Sequence, residues 1–201
     1  MILTKRDRAE QCRLTVSACH EASHAVAAVA LGIPLAFTSI EGAVLPPYED
    51  IPESALGLPA GITLNSSGYT SYVKGTVQGY VDALPDPEAR AKLEACAAQV
   101  AAGVVFEMRQ RGAKWTDLEH RSDLISVINF AGLLGIGMSM TERPVLDFVA
   151  TACEHAEDEL NANWEGIQVV ARALRERRYL CGAEVRAILD DVARRPQQDN
   201  Q

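Results

Sequence analysis

Residues 17–31 read SACHEASHAVAAVAL, and this stretch decides the fold. Ala22, Ala25, Ala27 and Ala28 are strong helix formers, and no proline or glycine interrupts residues 12–31. Small or apolar residues recur at Leu14, Ala18, Ala22, Ala25, Val26 and Val29. That spacing is close to a 3.6 period and predicts a helix over residues 5–31. Gly32 and Pro34 follow in the order expected of a helix end. Residues four apart on a helix share a face, so the imidazoles of His20 and His24 can reach one ion. Glu21 follows His20 directly. In a His-Glu-x-x-His pattern this acid does not bind the metal; it places a proton acceptor beside metal-bound water. Zinc lowers the pKa of such water towards ~7, which makes hydroxide available at neutral pH. The chain has four histidines in all, and two of them bracket a glutamate at this spacing. A chance match on an alanine-rich helix is therefore the weaker reading.

Catalytic zinc takes three protein ligands and keeps one position open. The third ligand must come from outside the helix. Cys19 points about 100° away from His20 on an ideal helix. No histidine stands six residues after His24. Glu107, Asp117, Glu119, His120, Asp123, Glu154 and His155 are the candidates, and spacing alone does not choose among them. His155 lies in an acidic stretch with Glu154, Glu157, Asp158 and Glu159, which reads as an exposed helix face.

Beyond the first helix, Leu35–Ile40 reads as a strand. Residues 42–60 carry Pro46, Pro47, Pro52 and Pro59 and read as a loop. Ile62–Leu64 and Tyr69–Val73 are β-prone and flank Asn-Ser-Ser-Gly, which predicts a hairpin. From Pro87 the pattern is helical. Ala89, Leu93, Cys96, Val100, Val104 and Met108 form one stripe, and Gly112 closes that helix. A further helix is expected to start near Ser122 or Asp123. A long one follows from about Pro144 to Arg178, with Val145, Phe148, Ala152, Ala156, Leu160, Trp164, Ile167, Val170 and Leu174 on one face. Gly182 reads as a breaker before a short last helix, and residues 195–201 read as a disordered tail.

With 201 residues, 48% of them apolar, the chain suits one domain, taken as 1–194. A net charge of −8 argues against nucleic acid or an anionic membrane as partner. Arg172, Arg175, Arg177 and Arg178 read as a solvated helix face. Five cysteines match no disulfide or zinc-knuckle spacing and read as buried free thiols in a reducing compartment. The first 12 residues lack an apolar core segment, and Ala25–Phe37 is too short to span a bilayer, so the expected location is cytoplasmic.

The order of these features resembles the peptidase domain of FtsH-type membrane proteases. That family carries His-Glu-Ala-Gly-His on its first long helix, and here Ala18-Cys-His-Glu-Ala-Ser-His-Ala25 stands. Its Gly-x-Thr element is matched by Gly68-Tyr69-Thr70. Its Gly-Gly-Arg-Ala-Ala-Glu-Glu helix is matched loosely by residues 101–107. Its Ser-Asn-Asp before a helix is matched by Arg121-Ser122-Asp123. The likeness extends over about residues 10–192. It implies a mainly α, helical metallopeptidase domain with a small β region after the zinc helix. It also implies Asp123 as third zinc ligand, with Asp117 the main competitor. Ser23 replaces the family's glycine, Phe106 stands where one of two acids is expected, and the stretch 42–60 looks inserted. No Gly-x-x-x-x-Gly-Lys-Ser/Thr run occurs, so the ATPase motor of that family has no counterpart in these residues.

The expected function is a zinc endopeptidase that hydrolyses peptides or already unfolded segments without its own motor. His20, His24 and Asp123 would hold zinc, and Glu21 would be the catalytic base. Residues 69–74 would pair with extended substrate. A homo-oligomer or a separate ATPase is the expected kind of partner. The alternative is a catalytically silent module with a structural zinc, binding unfolded chains or a partner protein.

Overall fold

A computed structural model describes residues 5–41, 43, 68–112, 114 and 122–195. The first helix, α1, runs Lys5–Ala30. Its end is a Schellman-type cap: the Ile33 amide donates to Ala28 O at 2.8 Å, and Gly32 takes φ 65°. After β1 (Leu35–Ile40) and β2 (Gly68–Tyr72) come α2 (Thr76–Asp82), α3 (Pro87–Arg111) and α4 (Ser122–Leu133). The chain continues through α5 (Arg143–Ala162), α6 (Trp164–Arg177), β3 (Tyr179–Cys181) and α7 (Gly182–Arg194). The protein is thus mainly helical with one small antiparallel sheet of order β2-β1-β3.

α1 is the central element. Every residue from Glu21 to Ala28 is buried, so this helix is covered all round by its neighbours. It packs on α3, on α6 and on the sheet. Ala18, Ala22, Ala25 and Ala28 on α1 and Ala97, Ala98, Ala101 and Ala102 on α3 are fully buried. Short side chains let two helix axes approach closely. The alanine richness that made α1 a strong helix former therefore also sets how near α3 comes to His20 and His24. α3 is delimited as its ends predict: the Asp86 side chain accepts from the Glu88 amide at 2.9 Å, Pro87 opens the helix, and Gly112 closes it at φ 62°.

Two expectations need correction, and a third is met in part. The long helix over 144–178 is two helices that meet at Asn163, whose φ of −116° leaves the helical range. Its Nδ2 donates to Glu159 O at 2.9 Å and to Glu159 Oε2 at 3.2 Å. This side chain competes for the helix's own carbonyls. The break lets α5 pack on α3 while α6 packs on α1. Most of the expected stripe is core, with Val145, Ala152, Ala156, Leu160, Ile167, Val170 and Leu174 buried, while Phe148 is half-buried and Trp164 at the junction is exposed.

The expectation met in part is the hairpin, whose second strand is present as β2. Residues 68–72 pair with β1, with Thr70 opposite Thr38 and Tyr69 opposite Ser39. Ile62–Leu64, the proline-rich stretch 44–60 and residues 196–201 lie outside the described residues. The second correction is Gly182, which opens α7 rather than breaking a helix. A Cβ there would lie 1.9 Å from Leu35 O, so glycine is what lets α7 start against β1. Two elements carried no signal that periodicity could read: α2 buries no residue, and β3 is three residues long. The cysteines are all free, but Cys12 is exposed and Cys19 and Cys181 are half-buried, so only Cys96 and Cys153 fit the buried thiols expected. No helix among the described residues is long and apolar enough to cross a membrane.

Candidate metal centre

α1 presents His20, Glu21 and His24 from its buried middle, and the first turn of α4 brings Asp123 to the same place. His20 Nε2 lies 3.1 Å from Asp123 Oδ2. His24 Nε2 lies 3.5 Å from the same oxygen and 3.1 Å from His20 Nε2. A tetrahedral site with bonds of about 2.05 Å spaces its donor atoms about 3.3 Å apart. The three donors thus already stand at the edges of such a site. This group of His20, His24 and Asp123 can hold a metal ion.

The far side of each imidazole explains why both Nε2 atoms point inward. His24 Nδ1 donates to the backbone carbonyl of Gln99 at 3.0 Å. His20 Nδ1 faces Glu107 Oε1 at 3.3 Å. With a proton on each Nδ1, each Nε2 offers a lone pair to the shared centre. Three lone pairs at this spacing repel unless a cation sits among them. Glu107 was one candidate for the third ligand, and the structure gives it a different place. It orients His20 from behind, with Arg111 3.4 Å from its other oxygen.

The charges tell the same story. Burial disfavours the charged form of His20, but Asp123 and Glu107 outweigh it and push the imidazole up to about 10. Burial also opposes ionisation of Asp123, yet both imidazoles hold its carboxyl well below the usual range. A proton bound between His20 and Asp123 and a metal ion bound there answer the same demand for positive charge, so one displaces the other.

Gly103 on α3 keeps this place open. A Cβ at Gly103 would lie 2.4 Å from His24 Nε2 and 2.6 Å from His20 Cε1. Phe106, one turn on, is a fully buried core residue and takes no part. Ser23 fits the helix by donating from its hydroxyl to Cys19 O at 2.8 Å. Cys19 stays outside the group, as its helical position predicts.

Glu21 stands beside the ligands rather than among them. Thr70 Oγ1 donates to Glu21 Oε2 at 2.8 Å. Burial raises the carboxyl's pKa, while His24, His20 and Thr70 pull it down. The backbone of β2 also touches this side chain: a Cβ at Gly68 would lie 2.5 Å from Glu21 Oε1.

Of the remaining candidates, two are placed. Glu154 and His155 lie on the exposed face of α5, where His155 faces Glu159. Asp117, Glu119 and His120 lie outside the described residues. Arg172, Arg175 and Arg178 line a shallow surface depression with Gln11 and Leu14, while Arg177 pairs with Glu184 instead. Sequence reasoning missed Gln99, Tyr72 and Thr38. A glutamine inside an alanine run and two residues of short strands carry no motif. No protein-family model and no curated protein matches this chain.

Proposed function

We propose that the chain is a zinc-dependent endopeptidase of the FtsH-like kind, acting on peptides or unfolded segments without an ATPase motor of its own. One observation carries the reading: two imidazole nitrogens and a carboxylate oxygen converge at 3.1–3.5 Å with a separate buried carboxylate beside them. Two histidines and one carboxylate form a donor set suited to catalytic zinc. A bound zinc ion supplies a Lewis acid that acidifies water and polarises a scissile carbonyl.

The protein's own groups do the rest. Glu21 accepts the proton of the attacking water and delivers it to the leaving amine. Burial suits Glu21 to accepting and holding a proton, because it raises the carboxyl's pKa from its ordinary value. Thr70 keeps one carboxylate oxygen fixed and leaves the other free for the proton. Gln99 and Glu107 hold the two imidazoles in the tautomer that binds metal. Among the described residues, β2 is an edge of the sheet and borders Glu21. An extended peptide can add to such an edge through main-chain hydrogen bonds.

The alternative is a silent module in which zinc is a staple. It leaves the buried, hydrogen-bonded Glu21 without a task. The deciding experiment measures zinc stoichiometry and casein cleavage for the wild type, Asp123→Ala and Glu21→Gln. The expected result is one zinc per wild-type chain with cleavage, loss of both in Asp123→Ala, and zinc without cleavage in Glu21→Gln. Zinc in the wild type with no turnover, alone or with an added ATPase, favours the silent module.

A further inference from the structure

Gly68, Thr70 and Tyr72 alternate along β2, and alternate residues of a strand share a face. Each of the three bears on the candidate metal centre. We propose that this inner face of β2 is a positioning element: Thr70 holds the Glu21 carboxylate, and Tyr72, acting through Gln99, holds His24. The inference rests on the metal-site reading and adds to it the parts that set its geometry.

The base is held by two hydroxyls in series. Thr38 Oγ1 lies 2.8 Å from Thr70 Oγ1, and Thr70 Oγ1 donates to Glu21 Oε2 at 2.8 Å. Since Thr70 spends its proton on Glu21, its oxygen accepts from Thr38. Both hydroxyls also approach Glu21 O, at 3.4 and 3.3 Å. The sheet therefore grips Glu21 by its side chain, with both hydroxyls seated beside its backbone carbonyl. Gly68 fits against the same carboxylate, where a side chain would displace it.

The ligand is held from the other end of the strand. Tyr72 Oη donates to Gln99 Oε1. Burial raises the phenol well above its ordinary range, so it stays a donor. With Oε1 occupied, the Gln99 amide must turn its NH₂ towards His24 O, which it reaches at 3.0 Å. The Gln99 carbonyl meanwhile accepts from His24 Nδ1 at 3.0 Å. One buried glutamine thus clasps both the backbone and the ring of His24, and Tyr72 sets which way it faces. Without that donor the amide has no reason to prefer this orientation, and the clasp loosens.

Competition titration against a chromophoric chelator measures zinc affinity without any need for turnover. Tyr72→Phe keeps the ring and removes the donor. Its zinc affinity is expected to fall about tenfold, the lower end for a lost outer-sphere partner. Gln99→Met should fall at least as far, and adding Tyr72→Phe to it should cost nothing more, because the tyrosine acts through the glutamine. Thr70→Val should keep wild-type zinc affinity while lowering kcat for casein at unchanged KM, and Thr70→Ser should restore kcat. Wild-type zinc affinity in both Tyr72→Phe and Gln99→Met overturns the inference and leaves the peptidase reading intact. So does a Thr70→Ser variant as slow as Thr70→Val. A wild-type chain that binds no zinc overturns both.

Discussion

Replacing Gly103 with alanine strikes the candidate metal centre at a point of very small clearance. The new Cβ would stand 2.4 Å from His24 Nε2 and 2.6 Å from His20 Cε1. Non-bonded carbon contacts settle at about 3.5 Å, so the rings must retreat by about 1 Å. Metal–ligand distances tolerate about 0.2 Å. The rings are not free to adjust, since Gln99 and Glu107 anchor their far nitrogens. At least one imidazole should therefore leave the coordination sphere. The expected loss in zinc affinity is about 100-fold or more, equivalent to about 2.8 kcal/mol. The helix itself gains, because alanine is favoured over glycine in a helix interior by about 1 kcal/mol. The metal-free variant should stay folded, with that gain offsetting the crowding. Chelator competition reads the affinity, and thermal unfolding with and without zinc reads the two opposed effects. Gly79→Ala is the control: its Cβ meets nothing within 4 Å, so it should stabilise slightly and leave zinc binding alone. A Gly103→Ala protein that binds zinc as tightly as the wild type would refute the placement of the ion between these rings.

Other consequences are as direct. Glu21→Gln should retain zinc and lose casein cleavage by about 10²- to 10⁴-fold, the usual contribution of a general base. Gly68→Ala should lower turnover without lowering zinc affinity, because its Cβ meets Glu21 and not the ligands. In the metal-free protein, His20 has its pKa raised to about 10, above an unfolded value of about 6.5. Its contribution to stability is therefore complete below about pH 6.5 and lost as pH rises towards 10. The difference in melting temperature between the wild type and His20→Gln should shrink over that window. Zinc affinity should run the opposite way and increase with pH, since the ion must displace a proton; calorimetry in buffers of different ionisation heat should detect its release.

The helices that carry the site were legible because their cause is local. Alanine content and a 3.6 period define α1, Pro87 and Gly112 delimit α3, and the pair His20 and His24 shares a face by helix geometry alone. The junction of α5 and α6 was not legible, because the apolar stripe runs through Asn163 without a change of phase. What decides the break is that α5 and α6 rest on different neighbours.

The ligand set shows the same division most sharply. Spacing along the chain left Glu107 and Asp123 as equals, and it was the likeness to a family that preferred Asp123. In space both carboxylates meet His20, but on opposite nitrogens: Asp123 beside Nε2, where His24 also points, and Glu107 beside Nδ1. No pattern along the chain encodes which edge of a ring a residue 87 or 103 positions away will reach. The same holds for Thr70 and Gln99, whose partners lie 49 and 75 residues distant. The sequence by itself determined the helix that carries His20, Glu21 and His24 on its buried middle, through interactions among residues within one or two turns. The meeting of Asp123 with the two imidazoles, the groups that orient those rings and the strand that borders Glu21 were decided by the tertiary structure, because closing those distances depends on how the helices and the sheet pack around α1.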